Sequence, residues 1–120
     1  MDERIEKAFQ TANYMASLTN LRRVAIEELN QNLILYFQGA TFTVDRTLIS
    51  FVKILIDSGQ SESVLLDDNN IPVRVDDLRD FFIKVLSIYG ESTNKYLTKY
   101  SELKNKRKVE ALIELWVEEH

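Results

Sequence analysis

The chain has 120 residues, of which 45% are hydrophobic and 28% are charged, and its net charge is −4. This length and composition are typical of one folded domain, which we expect to occupy residues 1–120. The sequence contains no cysteine, which excludes disulfides, thiolate nucleophiles and cysteine-ligated metal centres.

Residues 2–38 predict one long helix. Apolar residues recur there every three or four positions, the spacing that places side chains along one side of a helix. They are Ile5, Phe9, Ala12, Met15, Leu18, Leu21, Ala25, Leu29, Leu33 and Tyr36. Asp2 is suited to begin the helix and Gly39 to end it, because glycine readily adopts the left-handed conformation found at helix C-termini.

The middle of the chain predicts short elements. Residues 41–44 alternate β-branched and aromatic side chains and predict a strand. An apolar stripe after Asp45 predicts a shorter helix over 45–58, with Asp45 as its N-cap. Two β-prone runs on either side of an Asp-Asp-Asn-Asn cluster predict a β-hairpin over 63–75.

The last segment, residues 76–118, predicts a second long helix. Its apolar stripe runs from Leu78 to Val117, and Asp76 or Asp77 is suited to cap its beginning. Gly90 lies within this stripe, and the sequence leaves open whether the helix breaks or continues there.

These elements predict a mainly α fold with a small β element, in the α+β class. We expect the two long helices to pack antiparallel as a helical hairpin resembling a coiled coil, with the shorter helix, the strand and the β-hairpin forming a head. Two paired rods leave apolar surface uncovered, which predicts a homo-oligomer, a dimer or larger.

A concentration of basic residues in the last helix is the candidate interaction surface. It comprises Lys95, Lys99, Lys104, Lys106, Arg107 and Lys108, with Trp116 beyond it. Cations interleaved with tyrosines could bind single-stranded nucleic acid. A solvated helix face, or a site for an acidic partner or another subunit, fits the pattern as well. The acidic character of the whole chain makes nucleic acid the less favoured partner.

Catalytic, cofactor and metal sites are not predicted. The run from Asp67 to Asn70 resembles the start of a calcium loop, but Pro72 stands where that loop requires glycine, so a hairpin turn is favoured. The single histidine, His120, stands apart from any Ser-His-Asp pattern. The charged segment from Met1 to Ile5 predicts no secretory signal, and no apolar run has the length of a membrane span, so we expect a cytoplasmic protein.

Two stretches, Gly39-Ala40-Thr41-Phe42 and Leu66-Asp67-Asp68-Asn69-Asn70-Ile71-Pro72-Val73, resemble a group of small proteins carried by T-even-like myoviruses of marine cyanobacteria. The resemblance extends over most of the chain, including its Asp-Glu-Arg-Ile opening and its lysine-rich stretch. It implies a phage origin, a location in the bacterial host cytoplasm or the virion, and a virion or scaffold protein as partner. It assigns no role to any residue.

The sequence thus favours a non-enzymatic, oligomeric interaction or assembly protein, for example a phage structural or assembly factor. The first alternative is a regulator that binds nucleic acid or the host polymerase through the basic stretch. The second is an enzyme that uses carboxylates and a divalent metal.

Overall fold

The computed structural model of the protein describes residues 2–119, apart from the side chains of residues 109, 110, 112–116, 118 and 119. Over this part of the chain there are three helices and two antiparallel two-stranded sheets, which confirms the mainly α member of the α+β class. In chain order the elements are α1 (Glu3–Asn32), β1 (Ile34–Phe37), β2 (Ala40–Thr43), α2 (Arg46–Asp57), β3 (Ser63–Leu66), β4 (Pro72–Val75) and α3 (Leu78–Glu119).

The chain divides into two compact units. The helical unit comprises Met1–Glu28 and Lys95–His120, and the mixed unit comprises Leu29–Asn94. The division describes how contacts are distributed, so the expectation that the whole chain folds as one domain stays a prediction.

The prediction of a helix as far as Gln38 is wrong, because α1 ends at Asn32 and the next residues form β1. β1 pairs with β2 in a hairpin, from Ile34 opposite Thr43 to Phe37 opposite Ala40. The side chains of this segment alternate between the core and solvent, as in a strand: Leu35 is buried, while Tyr36 is 75% exposed. The strand predicted at 41–44 therefore has a partner, and the fold contains two hairpins where one was predicted.

A two-residue turn joins β1 to β2. Gln38 and Gly39 both have positive φ, of 50° and 77°, as a type I′ hairpin turn requires. Gly39 therefore supplies a left-handed residue, as predicted, but it does so in a β-turn and not at the end of a helix.

The predictions for the shorter helix and the second hairpin are confirmed. Asp45 caps α2 by accepting a hydrogen bond from the Leu48 amide at 2.7 Å. β3 and β4 pair antiparallel, from Ser63 opposite Val75 to Leu66 opposite Pro72.

The core of the mixed unit is built from both hairpins, α2 and the beginning of α3. Its buried side chains are Leu35, Ala40, Phe42, Val44, Val52, Leu65, Val73, Val75, Leu78, Phe81 and Val85. The Phe81 ring packs edge-on against the rings of Phe37 and Phe42, with both centroid distances 5.3 Å. These contacts fix α3 against the first hairpin.

The last helix, α3, is continuous through Gly90, which answers the question that the sequence left open. It begins at Leu78, two residues later than predicted, and the Asp77 carboxylate accepts a hydrogen bond from the Asp80 amide at 3.1 Å. Of the two predicted caps, Asp77 is therefore the one that serves this helix.

Within the helical unit, the segments of α1 and α3 run antiparallel, as expected. The Tyr14 hydroxyl donates to the Lys106 carbonyl at 3.4 Å, and Lys99 Nζ lies 3.9 Å from Glu28 Oε2. Residue numbers thus rise along α1 as they fall along α3. Of the side chains described in this unit, only Leu18 and Ala25 are buried.

Candidate interaction surface

The six basic residues that the sequence singles out all lie on α3, within the helical unit, and all are exposed. They do not share one side of the helix. Successive residues of an α-helix are rotated by about 100°, so Lys104 and Lys108 lie roughly 140–180° around α3 from Lys99 and Lys106. Lys95 lies on the same side as Lys99 and Lys106.

The side of α3 that carries Lys99 and Lys106 forms one wall of a groove, and α1 forms the other. This helical groove has a volume of about 290 Å³. Its apolar lining consists of Leu21, Val24, Ala25 and Leu103. Its charged lining consists of Glu28, Lys99, Glu102 and Lys106. The two carboxylates balance the two ammonium groups, so the groove is close to neutral overall.

The charged side chains of the helical groove make weak contacts within the chain. The 3.9 Å separation of Lys99 Nζ and Glu28 Oε2 is at the outer limit of an ion pair, and both side chains are about half exposed. An exposed pair of this kind contributes only about 0–1 kcal/mol to stability. Both groups therefore retain most of their capacity to pair with another molecule.

Exposed apolar side chains lie on several sides of α1, and two of them line the groove. Leu21 and Val24 are 42% and 45% exposed, and Phe9, nearer the beginning of α1, is 61% exposed. Ile5, Met15 and Ile26 on the same helix are exposed as well. Met15 and Ile26 lie roughly 120–140° around α1 from Leu21, so the exposed apolar side chains are distributed around the helix.

The remaining predicted site residues lie elsewhere. Arg107 lines a small cleft on another side of α3, together with Leu18 and Arg22. The backbone of Trp116 belongs to α3, but its side chain lies outside the described part of the structure. His120 is also outside the described residues.

The acidic cluster at the second hairpin serves the turn. Asp67 is 6% exposed, and its carboxylate accepts hydrogen bonds from the amides of Asn69 and Ile71 at 2.9 and 2.8 Å. The Asp68 carboxylate accepts from the amide and the hydroxyl of Thr43, at 3.0 and 2.8 Å, and so links the two hairpins. The turn predicted from these residues is confirmed.

Arg74 lies on the outer face of β4, and its pKa is raised. Its hydrogen bond and ion pair with Glu62, at 3.1 Å, together with the charge of Asp76, raise the pKa of Arg74. All three groups are exposed, so this cluster is an ordinary surface network that holds Arg74 cationic.

Among the described side chains, no group of three or more His, Cys, Asp and Glu is placed to hold a metal ion. No helix within residues 2–119 combines the length and the apolar character that crossing a membrane requires.

Comparison of the chain with protein-family models, curated proteins and solved structures gives no match.

The sequence did not single out six residues of the groove as site residues: Leu21, Val24, Ala25, Glu28, Glu102 and Leu103. Leu21 was predicted only as part of the core stripe. These residues are recognised as one groove only when the antiparallel register of α1 and α3 is known, because that register sets Glu28 beside Lys99. The sequence alone supplies no such register.

Proposed function

We propose that the protein is a non-enzymatic, homo-oligomeric interaction protein that associates through its helical unit. The observation that carries this proposal is the apolar surface of that unit. Leu18 and Ala25 are its only buried side chains among those described, while Phe9, Leu21 and Val24 are 61%, 42% and 45% exposed.

The exposed apolar side chains of the helical unit bear on its stability. Fixing a residue in one backbone conformation costs about 1–2 kcal/mol, and helix pairs offset that cost mainly by burying apolar faces. A full burial of a leucine-sized side chain contributes about 1.5–3 kcal/mol. Association that covers Phe9, Leu21 and Val24 therefore supplies stabilisation that the helical unit lacks when those side chains face water.

An assembly role is the biological setting that we propose for this oligomer. It rests on the sequence resemblance to proteins of cyanobacterial myoviruses, and it places the protein in the host cytoplasm or the virion with a structural or scaffold protein as partner. The test of this part is co-purification with virions or assembly intermediates from infected cells.

Nucleic-acid binding through the basic stretch has less support. A polyanion needs several cations on one side of the protein. The lysines at 104 and 108 point away from those at 99 and 106, and Glu28 and Glu102 lie beside the latter pair.

The test of oligomerisation through the helical unit is a pair of matched double variants. F9Q/V24Q replaces two exposed apolar side chains of the helical unit, and I54Q/I83Q replaces two of the mixed unit that are 63% and 65% exposed. We expect F9Q/V24Q to raise the dissociation constant of the oligomer about tenfold or more, because burial of each apolar side chain is worth about 1–3 kcal/mol.

Analytical ultracentrifugation over a dilution series measures both constants, and circular dichroism verifies the helix content of each variant. The control I54Q/I83Q should match the wild-type protein. Equal dissociation constants for wild type and F9Q/V24Q would contradict the assignment of the interface to the helical unit.

A further inference from the structure

The charged side chains of the helical groove are arranged in a definite order along its length. Glu28 on α1 and Lys99 on α3 face each other at one end. Leu21 and Lys106 each lie seven residues away from that pair, about two helical turns or about 10 Å along the groove. Glu102 and Val24 lie between, with an apolar lining below them.

This order is self-complementary under one kind of two-fold symmetry. A two-fold axis parallel to the helices sets α1 of one copy over α3 of the other, at the same level. Glu28 then faces Lys99 of the partner subunit, and Lys99 faces the partner's Glu28. The same operation sets Val24 opposite Leu103 of the partner subunit, and it sets Leu21 against the stem of the partner's Lys106.

The other two-fold arrangement brings like charges together. An axis perpendicular to the helices sets α3 over α3 in opposite directions. Centred on the groove, it sets Lys99 opposite Lys106 of the partner subunit and brings the two Glu102 side chains to within one residue of each other. Like charges placed opposite each other destabilise an interface. Electrostatics therefore selects the axis parallel to the helices.

We propose that the occupant of the helical groove is a second copy of this chain, related by a two-fold axis parallel to the helices and held in register by two reciprocal Glu28–Lys99 pairs. This inference rests on the proposed function. It adds the surface that forms the interface, the symmetry of the dimer and the residues that set its register. Two helix pairs that meet in this way form a four-helix arrangement.

The charge balance favours a second copy over an acidic partner. An acidic peptide or a nucleic acid laid along the groove would meet Glu28 and Glu102 as well as the two lysines. A second copy brings a carboxylate to each ammonium group and an ammonium group to each carboxylate at the Glu28–Lys99 end.

Charge-reversal variants test the proposal. E28K places four lysines at the paired ends of the dimer and K99E places four glutamates there, so each variant alone should raise the dissociation constant about tenfold or more in low-salt buffer. Both side chains are about half exposed, so we expect each variant to fold. K104E, on the opposite side of α3, is the control and should leave the constant unchanged.

Mixing the two variants separates effects between chains from effects within one chain. In an E28K–K99E heterodimer every lysine at this end faces a glutamate of the partner, whereas neither chain regains its internal Glu28–Lys99 pair. We expect the mixture to form heterodimers preferentially, detected by native mass spectrometry with one chain isotopically labelled.

A mixture with statistical amounts of homodimer and heterodimer would overturn the pairing. An oligomeric wild-type protein whose dissociation constant is unchanged by E28K and K99E would overturn it too, while leaving the proposed oligomerisation intact. A monomeric wild-type protein would overturn both.

Discussion

Asp67 shows how much one side chain organises the second hairpin. Its carboxylate accepts from the amides of Asn69 and Ile71, and its own amide donates to the Ile71 carbonyl at 3.0 Å. The sequence predicted a turn here, since Asp and Asn tolerate turn conformations. It could not indicate which of four adjacent polar residues would be buried, because that depends on the path of the chain around them.

We predict that D67A lowers the free energy of unfolding by about 1–3 kcal/mol, because two partly buried amides lose their acceptor. D67N keeps one carbonyl oxygen that can accept from the same amides and should retain much of the lost stability. Urea denaturation of both variants measures the difference. Equal stability of D67A and the wild-type protein would show that water replaces the carboxylate.

At the scale of elements, residues 33–37 show where a periodicity argument fails. Leu29, Leu33 and Tyr36 fit helical spacing, but Leu33, Leu35 and Phe37 fit strand alternation equally well. The long-range partner decides between them, because pairing with β2 turns Leu35, and with it Leu33 and Phe37, toward the core. The bounds of α2 and α3 were predicted to within one or two residues, whereas the predicted end of α1 was six residues too late.

Two glycines allow the backbone requirements of different elements to be compared. A Cβ atom would meet nothing within 4 Å at either Gly39 or Gly90, so backbone conformation alone should set the outcome. G39A should lower the free energy of unfolding by about 1–2 kcal/mol, because Gly39 has a φ of 77° in the hairpin turn. G90A should raise it by about 0.5–1 kcal/mol, because alanine is the better helix former.

Thermal or chemical unfolding of the two variants beside the wild-type protein measures these opposite changes. Stabilisation by G39A would be inconsistent with the type I′ turn, and destabilisation by G90A would be inconsistent with a continuous α3.

In the whole molecule, the two units differ in how many apolar side chains they bury. The mixed unit buries eleven hydrophobic side chains in one cluster. The described side chains of the helical unit include two buried ones, and its groove combines exposed apolar groups with a balanced set of charges. The sequence predicted the paired helices and the basic residues. It did not predict the groove, because a groove depends on the register between two segments some 70 residues apart.

The measurement that bears most directly on this account is the absolute mass of the wild-type protein by size-exclusion chromatography with light scattering, at low and at high salt. The account predicts a mass of at least twice the 14.0 kDa of one chain. It also predicts that the oligomer persists at high salt, because apolar burial is not screened, although the Glu28–Lys99 pairs weaken. A mass of 14.0 kDa at every concentration and salt would contradict it, since the apolar surface of the helical unit would then face water in the native protein.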